Sequence, residues 1–222
     1  ILNRKAFDAK EPNNENENRQ KYGNNNIRLS NLMQWLNSDK KDWYVNQHDA
    51  DQAPTSEYVS QRPYADEPGF LTYLQPQVRQ YLIAVTRTAI EPSTDGGGTK
   101  NYEAKAFPLS RTEIGLGNER EADGKPFPQF DSDESRIATR IGTTSKDWYW
   151  LSTPSASNTN FVRSVGSDGT LNGNNAHSGH LGVRPALTFV NDTPVRKIGD
   201  NEYEVPYNKP PTITLGVKDN ET

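Results

Sequence analysis

Residues 148–187 read WYWLSTPSASNTNFVRSVGSDGTLNGNNAHSGHLGVRPAL, and the fold class turns on them. Short aromatic or β-branched runs at 148–152, 161–165, 170–172 and 183–190 are separated by Ser, Asn, Gly and Pro. That punctuation predicts short strands, not helices. Ser167-Asp168-Gly169 between two of the runs predicts a hairpin turn, because Gly supplies the backbone conformation such turns need. Further on, 195–198 and 202–205 flank Gly199-Asp200-Asn201 and predict another hairpin.

Upstream of this stretch the pattern changes. Ser30 is placed to cap a helix running to about Asn37, with Leu29, Leu32, Met33 and Leu36 on one stripe and Trp35 beside it. Residues 69–82 carry Phe70, Leu71, Leu74, Val78, Tyr81 and Leu82 near helical spacing, with Pro76 as a restart. Residues 82–90 alternate as a strand, and 2–11 alternate weakly, as a first strand or an extended arm. Ser110-Arg111-Thr112-Glu113 is a capping box that should open a short helix ending near Gly115 or Gly117. Residues 12–26, 39–68 and 118–147 read as polar loops, the second ordered by Trp43, Tyr44, His48, Tyr58 and Tyr64. The expected class is α+β, early helices followed by late antiparallel strands with long polar loops.

The composition excludes several functions. The chain has 222 residues, 25 Lys+Arg against 29 Asp+Glu, and no Cys. Without Cys there are no thiolate metal sites, Cys nucleophiles or disulfides. Hydrophobic residues make up 32%, below the roughly 45–50% of an average domain. Even so, 4 Trp, 10 Tyr and 7 Phe are too many aromatics for a disordered chain. Asparagine supplies about one residue in ten, a turn-forming bias. A pI near 5.5 and a mean hydropathy of −0.95 argue against a nucleic-acid partner. No apolar run approaches a membrane span. Asp95-Gly96-Gly97-Gly98 lacks the Lys-Ser/Thr of a phosphate loop. No nucleophile elbow appears, so no catalytic residue is assigned.

Several separated motifs occur in a fixed order: Phe7-Asp8-Ala9-Lys10-Glu11-Pro12-Asn13-Asn14, Tyr22-Gly23-Asn24-Asn25, and Ser30-Asn31-Leu32 followed by Gln34-Trp35-Leu36-Asn37-Ser38. Gly69-Phe70-Leu71, Phe107 with Leu109-Ser110, Thr112-Glu113, Gly115-Leu116, Trp148-Tyr149-Trp150-Leu151 with Thr153-Pro154, and Gly182-Val183-Arg184-Pro185-Ala186-Leu187 complete the series. Over residues 1–190 this series resembles a domain-of-unknown-function family of bacteriophage structural proteins and of surface or secreted proteins of Gram-positive and gut bacteria. The C-terminal half is distantly similar to C-type-lectin-like folds, including the formylglycine-generating-enzyme branch. There a Trp-rich strand, an Asn/Ser-rich loop stretch and a closing Gly-φ-Arg strand recur. The enzymes of that branch depend on Cys, so the resemblance implies a scaffold and not their chemistry.

The resemblance implies a C-type-lectin-like domain over residues 1–206. Residues 207–222 would be a linker and the first strand of a following immunoglobulin-like domain. It implies a non-enzymatic virion module (tail, fibre, baseplate or head decoration), present in many copies, with other virion subunits and host-surface glycan or protein as partners. Alternatives are a bacterial surface or secreted binding module, a purely structural virion subunit, or a cell-wall polysaccharide hydrolase. The residues themselves suggest where contact occurs. Small polar side chains beside aromatics bond sugar hydroxyls and stack on rings, although the same composition describes inert hairpin turns. The candidate ligand-binding residues are Tyr149, Asn158, Asn160, Asn174, Asn175 and His177. Trp35, Trp148, Trp150 and Arg184 are expected to be structural. His177 and His180 lack a third metal ligand. Calcium is the one cofactor considered, through the oxygens of Asp131-Ser132-Asp133-Glu134 or Asp200-Asn201-Glu202, and neither has the spacing of a calcium loop.

Overall fold

In chain order the helices are α1 (Glu17–Tyr22), α2 (Asn31–Leu36), α3 (Pro76–Arg79) and α4 (Asp133–Arg136). Single 3-10 turns lie at Ile27–Leu29, Phe70–Tyr73 and Ser93–Asp95. The strands are β1 (Val85–Ile90), β2 (Thr99–Ala104), β3 (Ala106–Pro108), β4 (Ala138–Thr139), β5 (Lys146–Asp147), β6 (Tyr149–Pro154), β7 (Phe161–Val165), β8 (Leu171–Asn175), β9 (Pro185–Leu187), β10 (Arg196–Gly199) and β11 (Glu202–Glu204). This computed structural model describes residues 1–200 and 202–206. The fold is mixed α/β, with few helices and small antiparallel sheets. β6-β7-β8 is the largest sheet, and β1-β2, β3-β9, β4-β5 and β10-β11 are two-stranded.

Strand β6 organises the interior because both of its faces are covered. Side chains alternate along a strand, so Trp150 enters the larger core while Tyr149 and Leu151 enter a smaller one with Ile114, Phe130, Ala138 and Val165. The Trp150 indole donates to the Lys5 carbonyl at 2.8 Å and meets Phe7 edge-on. The amino-terminal arm lies against the closing segment. Leu2 N–H donates to Val183 O at 2.7 Å, Lys5 N–H to Leu181 O at 2.9 Å and Phe7 N–H to Ala176 O at 2.8 Å. Gly182 N–H in turn donates to Trp148 O at 2.7 Å. The arm forms one isolated bridge, Leu2 with Val183, and no strand, so of the two expectations for 2–11 it is the arm that fits.

Several expectations hold. Ser30 caps α2, its hydroxyl accepting from Met33 N–H at 3.2 Å, and Leu32, Trp35 and Leu36 are buried. The turn at 167–169 joins β7 to β8, with Gly169 at φ +86° and any Cβ there running into Asp133 O. β10 and β11 form the second hairpin, with a register shift at Gly199.

Others are corrected. Residues 12–26 contain α1, capped by Asn16 Oδ1 accepting from Asn18 and Arg19 N–H. Its inward residue is Arg19, so there was no apolar stripe to read. Residues 69–82 are not one helix but a 3-10 turn followed by the four-residue α3. Pro76 cannot donate, and Gln75 before it is extended at ψ 142°, which breaks the run. The next strand consequently starts at Val85. The Ser110–Glu113 capping box forms both bonds, Glu113 N–H to Ser110 Oγ at 3.1 Å and Ser110 N–H to Glu113 Oε2 at 2.9 Å. It closes only a turn, stopped at Gly115 with φ +73°. The proposed linker and immunoglobulin-like strand at 207–222 lie outside the described residues.

Candidate functional site

The polar loops of 153–181 are bound mainly to their own molecule. Asn160 is buried and donates to Asn175 Oδ1 at 2.6 Å. Asn174 Oδ1 accepts from Asn175 N–H at 2.8 Å. Asn158 is exposed, but its carbonyl accepts from Asn25 Nδ2 at 2.8 Å, and the same amide donates to Phe161 O. His177 is half-buried beside the Tyr22 ring, where burial and then Lys10 push its imidazole below the usual value. Tyr149 is corrected from contact residue to core residue. It is 2% exposed, its hydroxyl donates to Arg136 O at 2.9 Å, and the Arg184 guanidinium donates to that hydroxyl. Asn174 lines a cavity of about 270 Å³ with Arg4, Asp147, Trp148, His180 and Leu181. Of the residues expected to be structural, Trp35 and Trp150 are buried, Trp148 packs against the larger core, and Arg184 lies over Phe130 and Tyr149.

A second polar region is closed to solvent. Asp8 accepts from the N–H groups of Asn31 and Asn24 at 2.9 and 3.1 Å. Asn31 Oδ1 accepts from Ala9 N–H at 2.8 Å, and its Nδ2 donates to Gln52 O at 3.0 Å. Asn24 donates to Glu11, and Asn26 bridges Glu91 and Asp95. Arg19 grips Asp95 with both prongs of its guanidinium at 2.7 and 2.9 Å, and Arg28 pairs with Glu91. Gly23 sits at φ +81°, and a Cβ would stand 2.9 Å from the carbonyls of Asp8 and Ala9. Burial, followed by repulsion from Glu11, pushes the Asp8 carboxyl well up, and burial also raises Glu11 and Asp51. At Asp95 burial pushes up too, but the Arg19 bonds outweigh it and the carboxyl lies below its usual range.

The open site lies elsewhere. A cavity of about 230 Å³ is lined by Leu2, Asn3, Lys5, Trp35, Glu67, Phe70 and Tyr73. The Lys5 side chain is 2% exposed, with its ammonium 4.5 Å from the Trp35 ring centre, 4.8 Å from that of Tyr64 and 2.5 Å from Glu67 Oε2. Burial lowers its pKa, with the Glu67 bond opposing. Trp43 stacks on Tyr64, while Trp35 meets Tyr64 edge-on. The indoles of Trp35 and Trp43 donate to Pro68 O and Glu67 O at 2.9 and 2.8 Å, which fixes the turn that carries Glu67. Tyr73 stands at the rim, 57% exposed.

The model of one protein family, described as Domain of unknown function (DUF6273), matches residues 1–190. The chain belongs to that family. No curated protein and no solved structure matches it. The DUF6273 region ends beyond β9 and so includes both the buried polar network and the open cavity. Five polar residues of the motif series, Asp8, Glu11, Asn24, Asn25 and Asn31, are interior. In this DUF6273 domain they tie the amino-terminal arm to the loops. Sequence reasoning missed Lys5, Glu67 and Tyr73. The available signal was the aromatic set Trp43, Tyr58 and Tyr64 in a long polar stretch, read there as an ordering device.

Among the described residues no group of three or more His, Asp or Glu is arranged to hold a metal ion. Among the same residues no helix is long and apolar enough to cross a membrane.

Proposed function

We propose that this DUF6273 domain is a non-catalytic binding module of a phage virion, in a tail, fibre, baseplate or head decoration, that engages host-surface glycan or protein. The carrying observation is the cavity at Lys5–Tyr73, where aromatic faces and unpaired polar atoms share one concave surface. The buried carboxylates, by contrast, are committed to internal partners: Glu119 to Arg111 and Arg163, Asp147 to Arg4 and Arg140, Asp95 to Arg19. On this reading the site holds a ligand without transforming it. Many copies per particle would turn weak single contacts into avidity.

A C-type-lectin-like scaffold is part of the proposal. It is supported by the adjacency of the Trp-rich strand β6 to the closing Gly182–Arg184 segment, with the Asn/Ser-rich loops between them in sequence. The virion setting rests on the motif series alone.

The test is binding of the full chain, fused to a multimerising tag, to candidate host cells and a glycan array, with calcium and with chelator. Saturable binding is the expected result, and Asn174→Ala and His177→Ala variants would report whether the loop face contributes. Chelator sensitivity would place calcium in the site. Absence of binding in every arm would overturn the adhesin reading and favour a purely structural subunit.

A further inference from the structure

The cavity beside Lys5 has a chemistry specific enough to name its guest. We infer that it is a single-ring subsite for an uncharged hexopyranose unit of a glycan, an assignment that rests on the binding-module reading.

Size sets the first limit. About 230 Å³ is below the roughly 300–1,000 Å³ of sites for drug-sized ligands, so the cavity takes one ring and not a nucleotide or a larger cofactor. The walls set the second. Trp35, Phe70 and Tyr73 line it, and the rim position of Tyr73 leaves a ring face to receive C–H groups.

Charge sets the third. Lys5 and Glu67 neutralise each other inside the cavity, so an ionic guest would find no free counter-ion. Aromatic cages ordinarily recognise cations, but here the chain's own Lys5 ammonium lies over Trp35 and Tyr64. A cationic guest is therefore already replaced from within.

The free polar atoms set the fourth limit. Glu67 binds Lys5 through Oε2, and among the described residues no hydrogen bond is made to its Oε1. The Glu67 side chain is 42% exposed, so that oxygen is available to a donor from outside. Asn3, exposed and also lining the cavity, offers both a donor and an acceptor. An aliphatic side chain from a peptide would cover these groups without pairing them, an unfavourable burial. A pyranose places C–H groups on one face and hydroxyls around its edge, and so satisfies both kinds of lining. The indole bonds to Pro68 O and Glu67 O fix the backbone that carries Glu67, and Lys5 holds its carboxylate, so part of the ordering precedes binding.

The experiment follows the Trp35 indole N–H in nitrogen–proton correlation spectra of the full chain. The probes are the methyl glycosides of glucose, galactose, mannose and N-acetylglucosamine, with choline and methyl glucuronide as charged comparisons. At least one neutral glycoside should shift the Trp35 signal saturably. Tyr73→Ala should weaken that binding about tenfold or more at unchanged melting temperature, and Tyr73→Phe should restore it, as expected when an exposed stacking face is removed and replaced. No shift with any neutral glycoside, an equal response in Tyr73→Ala, or preference for a charged probe would each overturn the assignment. Cell binding by the multimer separates this from the parent reading. Cell binding that survives Tyr73→Ala overturns the subsite and leaves the module. A glycoside in the cavity without cell or array binding supports the subsite and overturns the module.

Discussion

The region built from residues 8–31 is polar in sequence and closed in space, whereas the Lys5–Tyr73 cavity is aromatic in sequence and open. Asp8, Glu11, Asn24 and Asn31 are buried almost completely. Tyr73 and Glu67, which a composition reading passes over, face solvent. The difference follows from how little regular structure the domain has. Long loops carry backbone N–H and C=O groups that no sheet or helix satisfies, and buried groups of that kind need partners. Asparagine supplies one donor group and one acceptor on a short stem, so the loop-rich interior uses it as a substitute for a ladder. The aromatics pack against one another and leave a gap where the amino-terminal arm crosses them.

The largest effect expected from breaking this contrast is at Asn31. Asn31→Ala strands Ala9 N–H and Gln52 O in the interior, at a cost of about 2–4 kcal/mol. Chemical denaturation should show it as a fall in midpoint with little change in slope. Next is Asn25→Ala, which frees the Asn158 and Phe161 carbonyls at about 1–2 kcal/mol. Amide exchange should quicken across 155–161, and a variant that leaves exchange there unchanged would show that the asparagine bridge is dispensable.

Acidity sharpens the comparison further. Asp8, Glu11 and Asp51 have raised carboxyls, first through burial, so their contribution is complete below the unfolded value and is lost as pH rises through the folded one. Asp95, Glu119 and Asp147 are also pushed up by burial, but arginine bonds outweigh it and leave them lowered. Their contribution is present above the unfolded value and is lost as pH falls through the folded one. The melting temperature should therefore rise on mild acidification from neutrality and fall below the ordinary carboxylate range of about 4. A monotonic fall from neutrality downward would show that the three buried acids are not strained. The smallest effect is at Tyr73→Ala, under about 0.5 kcal/mol for an exposed side chain. A cost comparable to that of Asn31→Ala would make the cavity wall part of the core and dissolve the contrast.

Periodic apolar elements were legible in the sequence. The α2 stripe, the β6–β8 strands and the turn at 167–169 follow from side chains whose spacing matches their burial. Helix α1 was not, because its inward residue is a paired arginine and its local signals are confined to its ends, the Asn16 cap and Gly23. The stretch around Pro76 misled because apolar spacing cannot show which residue breaks a helix. Tyr149 misled for a related reason: alternation along β6 says which residues share a face, not that both faces are covered. The cavity was illegible because Lys5, Trp35, Glu67 and Tyr73 meet only through tertiary folding.

The clasp between the first residues and the closing segment also has a consequence in time. Leu2, Lys5 and Phe7 take their partners from Val183, Leu181 and Ala176. A nascent chain emerging at roughly 5–20 residues per second would keep that arm waiting about 10–35 seconds for its mates. For most of the wait the edge-on indole of Trp150, which packs against Phe7, has not yet been made. The arm's backbone partners are therefore the last part of the domain to be made, and these bonds close only after residue 183 has emerged.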